Sequence, residues 1–293
     1  MTVSKYERLV VRTPLREAGL AEVKGRRSPL LTYLSSGQVP EADTRVELAW
    51  IYGIPESASN GGEKTLDCDQ ILLHIGMDPA TPQALGGTVE LYLGGQPIVF
   101  NTTTSVFIPR GTPQGPLTWK EFQRPHVQLR ITFGRGNQYA GAARTRDFDY
   151  EQYVIRSPIR EAGPEYVANR QNPTMTYMSG TQIPGVKNYI EFGWIWDVPS
   201  SPIPKMRHDN YDEIVLHLGS DPGNPEDLGA TMRFGIGDDV LEFTTTHCAF
   251  IPRGLNHGPL IWNEVRRPMI EFAMMLGAGI WAEGWEGSFF DLP

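Results

Sequence analysis

Most histidines of this chain lie in its second half, and one of them breaks an internal repeat. Residues 107–111 (FIPRG) return as residues 250–254. Three positions further on, the first copy has Gln114 and the second has His257. An imidazole can bind a metal ion or transfer a proton near neutral pH, and a carboxamide does neither well. The asymmetry predicts one working site in the second half and a structural role for the first half.

The repeat extends over nearly the whole chain. Residues 6–19 (YERLVVRTPLREAG) return as residues 150–163 (YEQYVIRSPIREAG), and Trp50 returns as Trp194, 144 positions later. A period this long indicates a domain duplication and not a solenoid. The sequence therefore predicts an N-terminal domain of residues 1–147 and a C-terminal domain of residues 148–293. The segment that leads into each half is a candidate for a strand exchanged between the halves, since barrel edges need a cover.

The elements that must position the histidines are short strands. Residues 189–196 (YIEFGWIW) alternate aromatic and β-branched side chains, and residues 231–236 and 240–243 flank a turn at Gly237. Strands at this spacing, in a chain with 24 prolines and 31 glycines, are typical of a sandwich or a small barrel. Segments with a helical period are scarce. The fold class is therefore predicted to be all-β.

Charge and composition exclude several classes of partner. The net charge of −8 disfavours nucleic acid, because phosphate binding needs a cationic face. The two cysteines, Cys68 and Cys248, are expected to be reduced thiols. The chain shows no run of about 18 apolar residues and no apolar stretch at its start. We therefore expect a cytoplasmic protein with a small-molecule substrate and no membrane partner, and a homo-oligomer stays open.

Two stretches of the second half resemble motifs of the cupin superfamily. Residues 252–257 (PRGLNH) fit the pattern P-x-G-x-x-H of the second cupin motif. Residues 206–213 (MRHDNYDE), with Gly219 closing the strand, fit in part the first motif, which is H-x-H, three or four residues, and Glu. The chain thus resembles a two-domain bicupin. The resemblance implies two tandem cupin barrels, double-stranded β-helices of jelly-roll type, that arose by internal duplication.

The resemblance also implies a metal site in the C-terminal barrel, with His208, Glu213 and His257 as ligands. Met206 stands where the family has its first histidine. Asp212 is the alternative carboxylate, because the spacing leaves the register open by one residue. In the first half all three ligands are replaced, which implies a metal-free, structural domain. The aligned residues there are Thr65, Gln70 and Gln114.

Two imidazoles and one carboxylate would leave about three metal positions open. That set suits non-haem Fe²⁺, which uses open positions for substrate and O₂, and it suits Zn²⁺ or Mn²⁺ almost as well. We therefore expect a metal-dependent enzyme acting on a small polar organic substrate, with a dioxygenase as first choice. The alternatives are a non-oxidative isomerase or lyase, and a non-catalytic protein that binds a small molecule.

Two further residues are candidates for catalytic contacts. Arg233, if it points into the barrel, would hold a substrate carboxylate through its two-pronged guanidinium. His247 aligns with Thr104 and could contact substrate or serve as a fourth ligand. His217 lies four residues after Glu213 and so faces the same side of a strand. Because His74 recurs at its place in the metal-free half, His217 is interpreted as a packed core histidine.

The chain closes with aromatic residues that have no counterpart in the first half. Such a tail is expected to dock over a core or across a subunit interface, with a lid over the second barrel as the alternative. These residues are Trp281, Trp285, Phe289 and Phe290.

Overall fold

A computed structural model describes residues 4–16, 22–56, 62–134, 148–163, 166–285 and 288. The strands of the first half are β1 (Val10–Val11), β2 (Leu31–Leu34), β3 (Thr44–Ile51), β4 (Gln70–Gly76), β5 (Ala84–Leu93), β6 (Gln96–Thr102), β7 (Thr104–Ile108), β8 (Gln114–Phe122) and β9 (His126–Phe133). Those of the second half are β10 (Val154–Ile155), β11 (Met175–Met178), β12 (Asn188–Ile195), β13 (Asp212–Gly219), β14 (Asp227–Ile236), β15 (Asp239–Thr245), β16 (His247–Ile251), β17 (His257–Val265) and β18 (Met269–Leu276). Single helical turns lie at Glu7–Leu9, Tyr150–Tyr153 and α1 (Trp281–Trp285).

The strands form two compact units with the same topology. The N-terminal unit comprises Pro14–Ser36 and Ala42–Ser157, and the C-terminal unit comprises Met1–Thr13, Gly37–Glu41 and Pro158–Pro293. In the N-terminal unit a sheet of order β10-β7-β4-β9-β3-β2 accompanies a sheet of order β6-β5-β8. In the C-terminal unit the orders are β1-β16-β13-β18-β12-β11 and β15-β14-β17. The all-β prediction is confirmed.

The leading segment of each half adds a strand to the unit of the other half. In β1, Val10 and Val11 pair with Ala249 and Cys248 of β16. Strand β10 pairs in the same manner with β7. The edge of the large sheet is thereby covered, which limits pairing with other chains. The strand exchange expected from the repeated sequence is present. The boundary predicted between residues 147 and 148 lies at the end of a range outside the described residues.

A tyrosine in each leading segment explains a glycine in each hairpin. The ring of Tyr6 lies where a Cβ atom on Gly237 would be, and the ring of Tyr150 lies in the same way against Gly94. Both glycines also have positive φ angles, 61° and 54°, which side chains disfavour. Two independent reasons therefore require glycine at each of these turns: the positive φ angle of the backbone and the space that the tyrosine ring occupies.

Inside each unit the large sheet faces the small one across a space that we call the lumen. In the C-terminal unit the ring centre of His217 on β13 lies 6.3 Å from that of Phe234 on β14 and 6.1 Å from that of Trp262 on β17. His217 therefore points into the lumen. Glu213, four residues earlier on the same strand, shares that face.

No helix within the described ranges is long and apolar enough to cross a lipid bilayer.

Leu9 tests whether the exchanged segment contributes to stability. Its side chain is 1% exposed within the C-terminal unit. We expect Leu9→Ala to lower the free energy of unfolding by about 2–5 kcal/mol, because it leaves a cavity. Denaturant unfolding followed by tryptophan fluorescence measures this. The matched control, Val240→Ala at a side chain 64% exposed, is expected to change stability by less than about 0.5 kcal/mol. Equal effects of the two substitutions would contradict the role assigned to Leu9.

Candidate metal centre

Two strands and one loop bring His208, Glu213 and His257 together. Glu213 is the second residue of β13, and His257 is the first residue of β17. His208 lies on the loop before β13. That loop is fixed by backbone hydrogen bonds, because the N–H of Met206 donates to the carbonyl of His257 (2.8 Å) and the N–H of His257 donates back (2.9 Å). The N–H of Gly254 donates to the carbonyl of His208 (2.7 Å).

The three side chains are almost fully buried and close together. His208, Glu213 and His257 are 3%, 3% and 1% exposed. The Oε2 atom of Glu213 lies 2.9 Å from Nε2 of His257 and 3.5 Å from Nε2 of His208. One donor atom from each residue lies within 4.8 Å of the others.

Hydrogen bonds at Nδ1 of each imidazole orient its Nε2 atom towards the cluster. Nδ1 of His257 lies 3.1 Å from the carbonyl oxygen of Leu255, which can only accept, so Nδ1 carries the proton. Nδ1 of His208 lies 2.9 Å from the Ser288 hydroxyl, which itself donates to the carbonyl of Gly284 (2.9 Å). His208 therefore also donates from Nδ1. Because Nδ1 of each ring donates away from the cluster, Nε2 of each ring faces it and is the atom available to bind a metal ion.

A divalent cation fits the atoms that converge here. Nε2 of His208, Nε2 of His257 and Oε2 of Glu213 are buried without a well-formed hydrogen bond to any protein group. Burial by itself would raise the pKa of Glu213, but the neighbouring imidazoles, His257 foremost, bring that pKa below its usual value. The carboxylate is therefore ionised, and its stability depends on positive charge beside it, which a metal ion bound at the two Nε2 atoms would supply. Donors that each lie about 2.1 Å from one ion at right angles are about 3 Å apart, close to the two carboxylate distances.

Solved structures of other proteins share this architecture. Vicilin from Corylus avellana superposes with a TM-score of 0.58 at 9% identity, covering 92% of this chain and 86% of vicilin. A variant of oxalate decarboxylase from Bacillus subtilis gives 0.54 at 9% identity, covering 88% and 76%. AerE from Microcystis aeruginosa gives 0.51 at 11% identity, covering 84% and 91%. No protein-family model and no curated protein matches the sequence.

This chain has the bicupin fold. At identities this low the likeness concerns the fold alone. The two tandem cupin barrels expected from the sequence are confirmed, and the two units can be compared position by position.

That comparison corrects one aligned pair. The backbone N–H of Gly254 donates to the carbonyl of His208, and the equivalent Gly111 donates to Leu66 (2.8 Å). The counterpart of His208 is therefore Leu66, and the alignment with Thr65 is wrong. The second cupin unit has one residue more between this point and β13, in an irregular loop where no periodicity marks the insertion.

The two candidate carboxylates have different surroundings. Oδ1 of Asp212 accepts a hydrogen bond from the backbone N–H of Arg253 (2.8 Å), and its Oδ2 lies 3.2 Å from the Arg253 guanidinium. Asp69 accepts the same backbone hydrogen bond from Arg110 (2.7 Å) in the other unit. Asp212 thus occupies a structural position that both cupin units share. It is Glu213 whose carboxylate lies beside the imidazoles.

Arg233 lies away from this cluster. On β14 its side chain is exposed, whereas the neighbouring Met232 and Phe234 are fully buried. The inward orientation considered for Arg233 is therefore wrong, because strand alternation turns every second residue of β14 to the outer face. A contact between Arg233 and a molecule in the lumen is not possible from there.

His247 lies in the lumen but in a second cluster. Its Nε2 is 3.1 Å from Nδ1 of His217, its register partner across β13 and β16, and its Nδ1 is 2.8 Å from the carbonyl of Thr245. Burial lowers the pKa of His247 to about 3 and lowers that of His217 as well. The pair is therefore neutral, and both nitrogens of His247 are engaged. The structure does not bring His247 to the three-residue cluster.

Two further acids, Glu191 and Glu271, lie in the lumen of the C-terminal unit and belong to neither of the two motifs. Glu191 accepts a hydrogen bond from the Thr174 hydroxyl (2.8 Å). Glu271 lies 3.4 Å from the guanidinium of Arg170. Burial raises the pKa of both acids, that of Glu191 to about 8, and the nearby charge of Glu213 adds to the shift. Glu191 therefore holds a proton at neutral pH.

Aromatic residues of the C-terminal tail pack against His208 and the residues next to it. Trp281 and Trp285 pack against a buried group that includes Tyr211. The ring of Tyr211 stacks on His208 at 4.5 Å between ring centres, and Trp285 lies edge-on to His208 at 6.0 Å. The tail thus docks on the C-terminal unit's own core. The other two aromatic residues of the tail lie outside the described residues; they are Phe289 and Phe290.

The protonation of Glu191 gives a pH prediction. Its folded pKa lies above the usual carboxyl value, so this group's contribution to stability is complete at low pH and is lost as the pH rises towards 8. Glu191→Gln removes that loss. We expect the variant to gain stability over the parent between pH 5 and pH 8, by at most about 5 kcal/mol, since one pKa unit equals about 1.4 kcal/mol.

Chemical unfolding of chelator-treated protein at several pH values measures this difference. A stability difference between parent and variant that does not change with pH would show that Glu191 is ionised throughout.

Proposed function

We propose that the C-terminal cupin unit holds a divalent metal ion through His208, Glu213 and His257 and uses it to transform a small polar organic substrate. The observation that carries this proposal is the convergence of three buried donor atoms that lack well-formed hydrogen bonds. An ionised carboxylate in such a place is costly unless a cation compensates it. A divalent ion bound by the two Nε2 atoms and the carboxylate supplies that charge.

A metal ion with three protein ligands supplies Lewis-acid or redox chemistry at its remaining positions. Our first choice is Fe²⁺ and a dioxygenase reaction, because two imidazoles and a carboxylate are a preferred set for non-haem iron. Zn²⁺ and Mn²⁺ suit the same donors. The protein contributes a buried site and fixed ligand orientations, so the ligands need not rearrange during the reaction.

Other lumen residues would bind and orient the substrate. The guanidinium of Arg170 lies 3.4 Å from Glu271, and a substrate carboxylate could share its remaining N–H groups. The carboxyl of Glu191, protonated at neutral pH, can donate a hydrogen bond or a proton. The charge of Glu213 raises the pKa of Glu191 and that of Glu271, the partner of Arg170, so these groups lie near the proposed metal ligand.

A non-oxidative lyase is the second candidate, and Glu191 is the observation that favours it. Cleavage of a carbon–carbon bond without oxidation requires a proton for the carbon that is left behind, and a buried carboxyl with a raised pKa is a suitable donor. Oxalate decarboxylase is among the proteins with the same fold. The two candidates differ in O₂ uptake, so oxygen consumption during turnover, measured beside CO₂ release, distinguishes them.

The metal site itself is tested by His257→Ala. We expect the parent to purify with, or take up, one divalent ion per chain, and the variant to lose at least about 90% of it, because one of three ligands is gone. Elemental analysis after dialysis measures this. Asp212→Asn is the matched control, since its carboxylate lies next in sequence but faces Arg253.

Full metal occupancy in His257→Ala would end the proposal. Metal binding without turnover of any tested substrate would support a binding protein in place of an enzyme.

Ser288 gives a prediction about ligand orientation. Its hydroxyl oxygen accepts a hydrogen bond from the protonated Nδ1 atom of His208. Ser288→Ala therefore frees that ring to rotate or to change tautomer. We expect metal affinity to fall by about 10–100-fold, the usual effect of removing such a support, with the fold intact. Competition with a chromophoric chelator gives the affinity, and circular dichroism confirms the fold. Unchanged affinity would show that His208 does not depend on the tail.

A further inference from the structure

The lumen of the N-terminal unit has the opposite charge from that of the C-terminal unit. Gln70 stands in place of Glu213, and strand register places Arg130 opposite Glu47, where the other unit has Ala273 opposite Glu191. A further carboxylate, that of Glu271, is replaced by the carboxamide of Gln128 at the matching position of β9. The first unit has therefore lost two acids and gained a guanidinium. These are differences of charge and not only losses of metal ligands.

Arg130 points into this lumen. It pairs in register with Leu72 on β4, two residues from His74, whose ring contacts Phe100 and Trp119 of the small sheet. Residues two apart on a strand share a face, so Arg130 lies on the inner face as well. The side chain is 28% exposed, and its buried Nε atom has no hydrogen-bond partner.

The acid nearest to Arg130 does not neutralise the site. Glu47 lies 3.9 Å from the Arg130 guanidinium. The same carboxylate is already paired with Arg45 at 3.0 Å. Lys64, on the segment that pairs with Gln114, is largely exposed, and partial burial together with the charge of Arg130 lowers its pKa. One carboxylate is thus shared between the guanidiniums of Arg45 and Arg130, so it does not neutralise both.

Arg26 is a further cation, and the acid that pairs with its counterpart in the C-terminal unit is replaced here. It pairs with Ile51 just as Arg170 pairs with Ile195 in the other unit, so the two arginines are equivalent. Arg170 has Glu271 as its partner, whereas the equivalent of that acid beside Arg26 is Gln128. The Nε atom of Arg26 is buried without a hydrogen bond, and burial together with the charge of Arg130 lowers the pKa of Arg26.

Gln128 completes a set of converging donors. Its side chain is 4% exposed, and its amide nitrogen is buried without a hydrogen-bond partner. On β9 it lies two residues from Arg130 and so shares the inner face. The Nε atoms of Arg26 and Arg130 and the amide nitrogen of Gln128 are thus all buried without a hydrogen bond. Gln128 and Arg130 share the inner face, and Arg26 occupies the position from which Arg170 reaches Glu271 in the other unit.

We propose that the lumen of the N-terminal unit binds a small organic oxyanion, a carboxylate or a phosphate ester, through Arg26, Arg130 and Gln128. Guanidinium forks match the paired oxygens of these groups, and a bound oxyanion would satisfy buried donors that the protein leaves unpaired. This assigns a ligand to the half of the chain that has lost the metal-binding residues. The proposal does not depend on the metal centre.

Calorimetric titration of the full-length protein with succinate and with inorganic phosphate, at constant ionic strength, tests it. We expect saturable binding of at least one of the two, and the preference tells carboxylate from phosphate recognition. Arg130→Ala installs the residue that the other unit carries at this place. Its affinity is expected to fall at least about tenfold, since it removes a charge-assisted hydrogen bond.

Glu47→Gln is expected to change the anion affinity in the opposite direction. Removing the single acid that competes for Arg130 is expected to strengthen binding about two- to tenfold, a gain that a purely structural role would not produce. Arg233→Gln, on the exposed face of β14, is the control for general charge effects and is expected to leave the affinity unchanged.

Absence of saturable binding of either anion to the parent at millimolar concentrations would overturn the proposal. So would equal affinities in the parent and in a folded Arg130→Ala variant, or weaker binding in Glu47→Gln. If Arg130→Ala does not fold, Arg26→Gln replaces it with the same expected loss. Repeating the titration with His257→Ala separates this site from the metal centre, because anion affinity is expected to stay the same there.

Discussion

The burial of one ionised carboxylate is the constraint on which the C-terminal unit depends. Glu213 is 3% exposed, and the imidazoles of His257 and His208 lie 2.9 and 3.5 Å from its carboxylate. The loop hydrogen bonds, the Leu255 carbonyl and the Ser288 hydroxyl all fix those imidazoles so that Nε2 of each ring faces the acid. A cation bound among these three groups would compensate the buried charge, so the surrounding structure suits that cation.

The duplicated fold accommodates two kinds of electrostatics on one scaffold. Both units share the sheet orders, the hairpin glycines and the exchanged leading strand, and those features specify the barrel. The lumen positions then differ, since Gln70 stands in place of Glu213 and Arg130 in place of Ala273. Acids gather in the unit proposed to hold a metal ion, and guanidiniums gather in the unit proposed to hold an anion.

The sequence predicted what depends on local periodicity. Strand alternation and the repeat predicted the all-β fold and the exchanged strand. The resemblance to the cupin motifs indicated Glu213, with Asp212 as the alternative, beside the two histidines. Features set by distant contacts could not be read in this way. Ser288 reaches His208 across 80 positions. Arg130 belongs to a pattern of alternating polar residues that looks like a solvent face, and only the strand register shows that it points inward. Arg233 shows the converse, because the same kind of alternation turned it outward.

The most direct test of the central claim is anomalous X-ray diffraction from crystals of the full-length protein grown with Fe²⁺, Mn²⁺ or Zn²⁺. The account predicts one strong anomalous peak per chain, about 2.0–2.3 Å from Nε2 of His208, Nε2 of His257 and a carboxylate oxygen of Glu213, and none in the N-terminal lumen. Well-ordered crystals in which all three metals leave this position empty, or in which the ion lies at other residues, would contradict it.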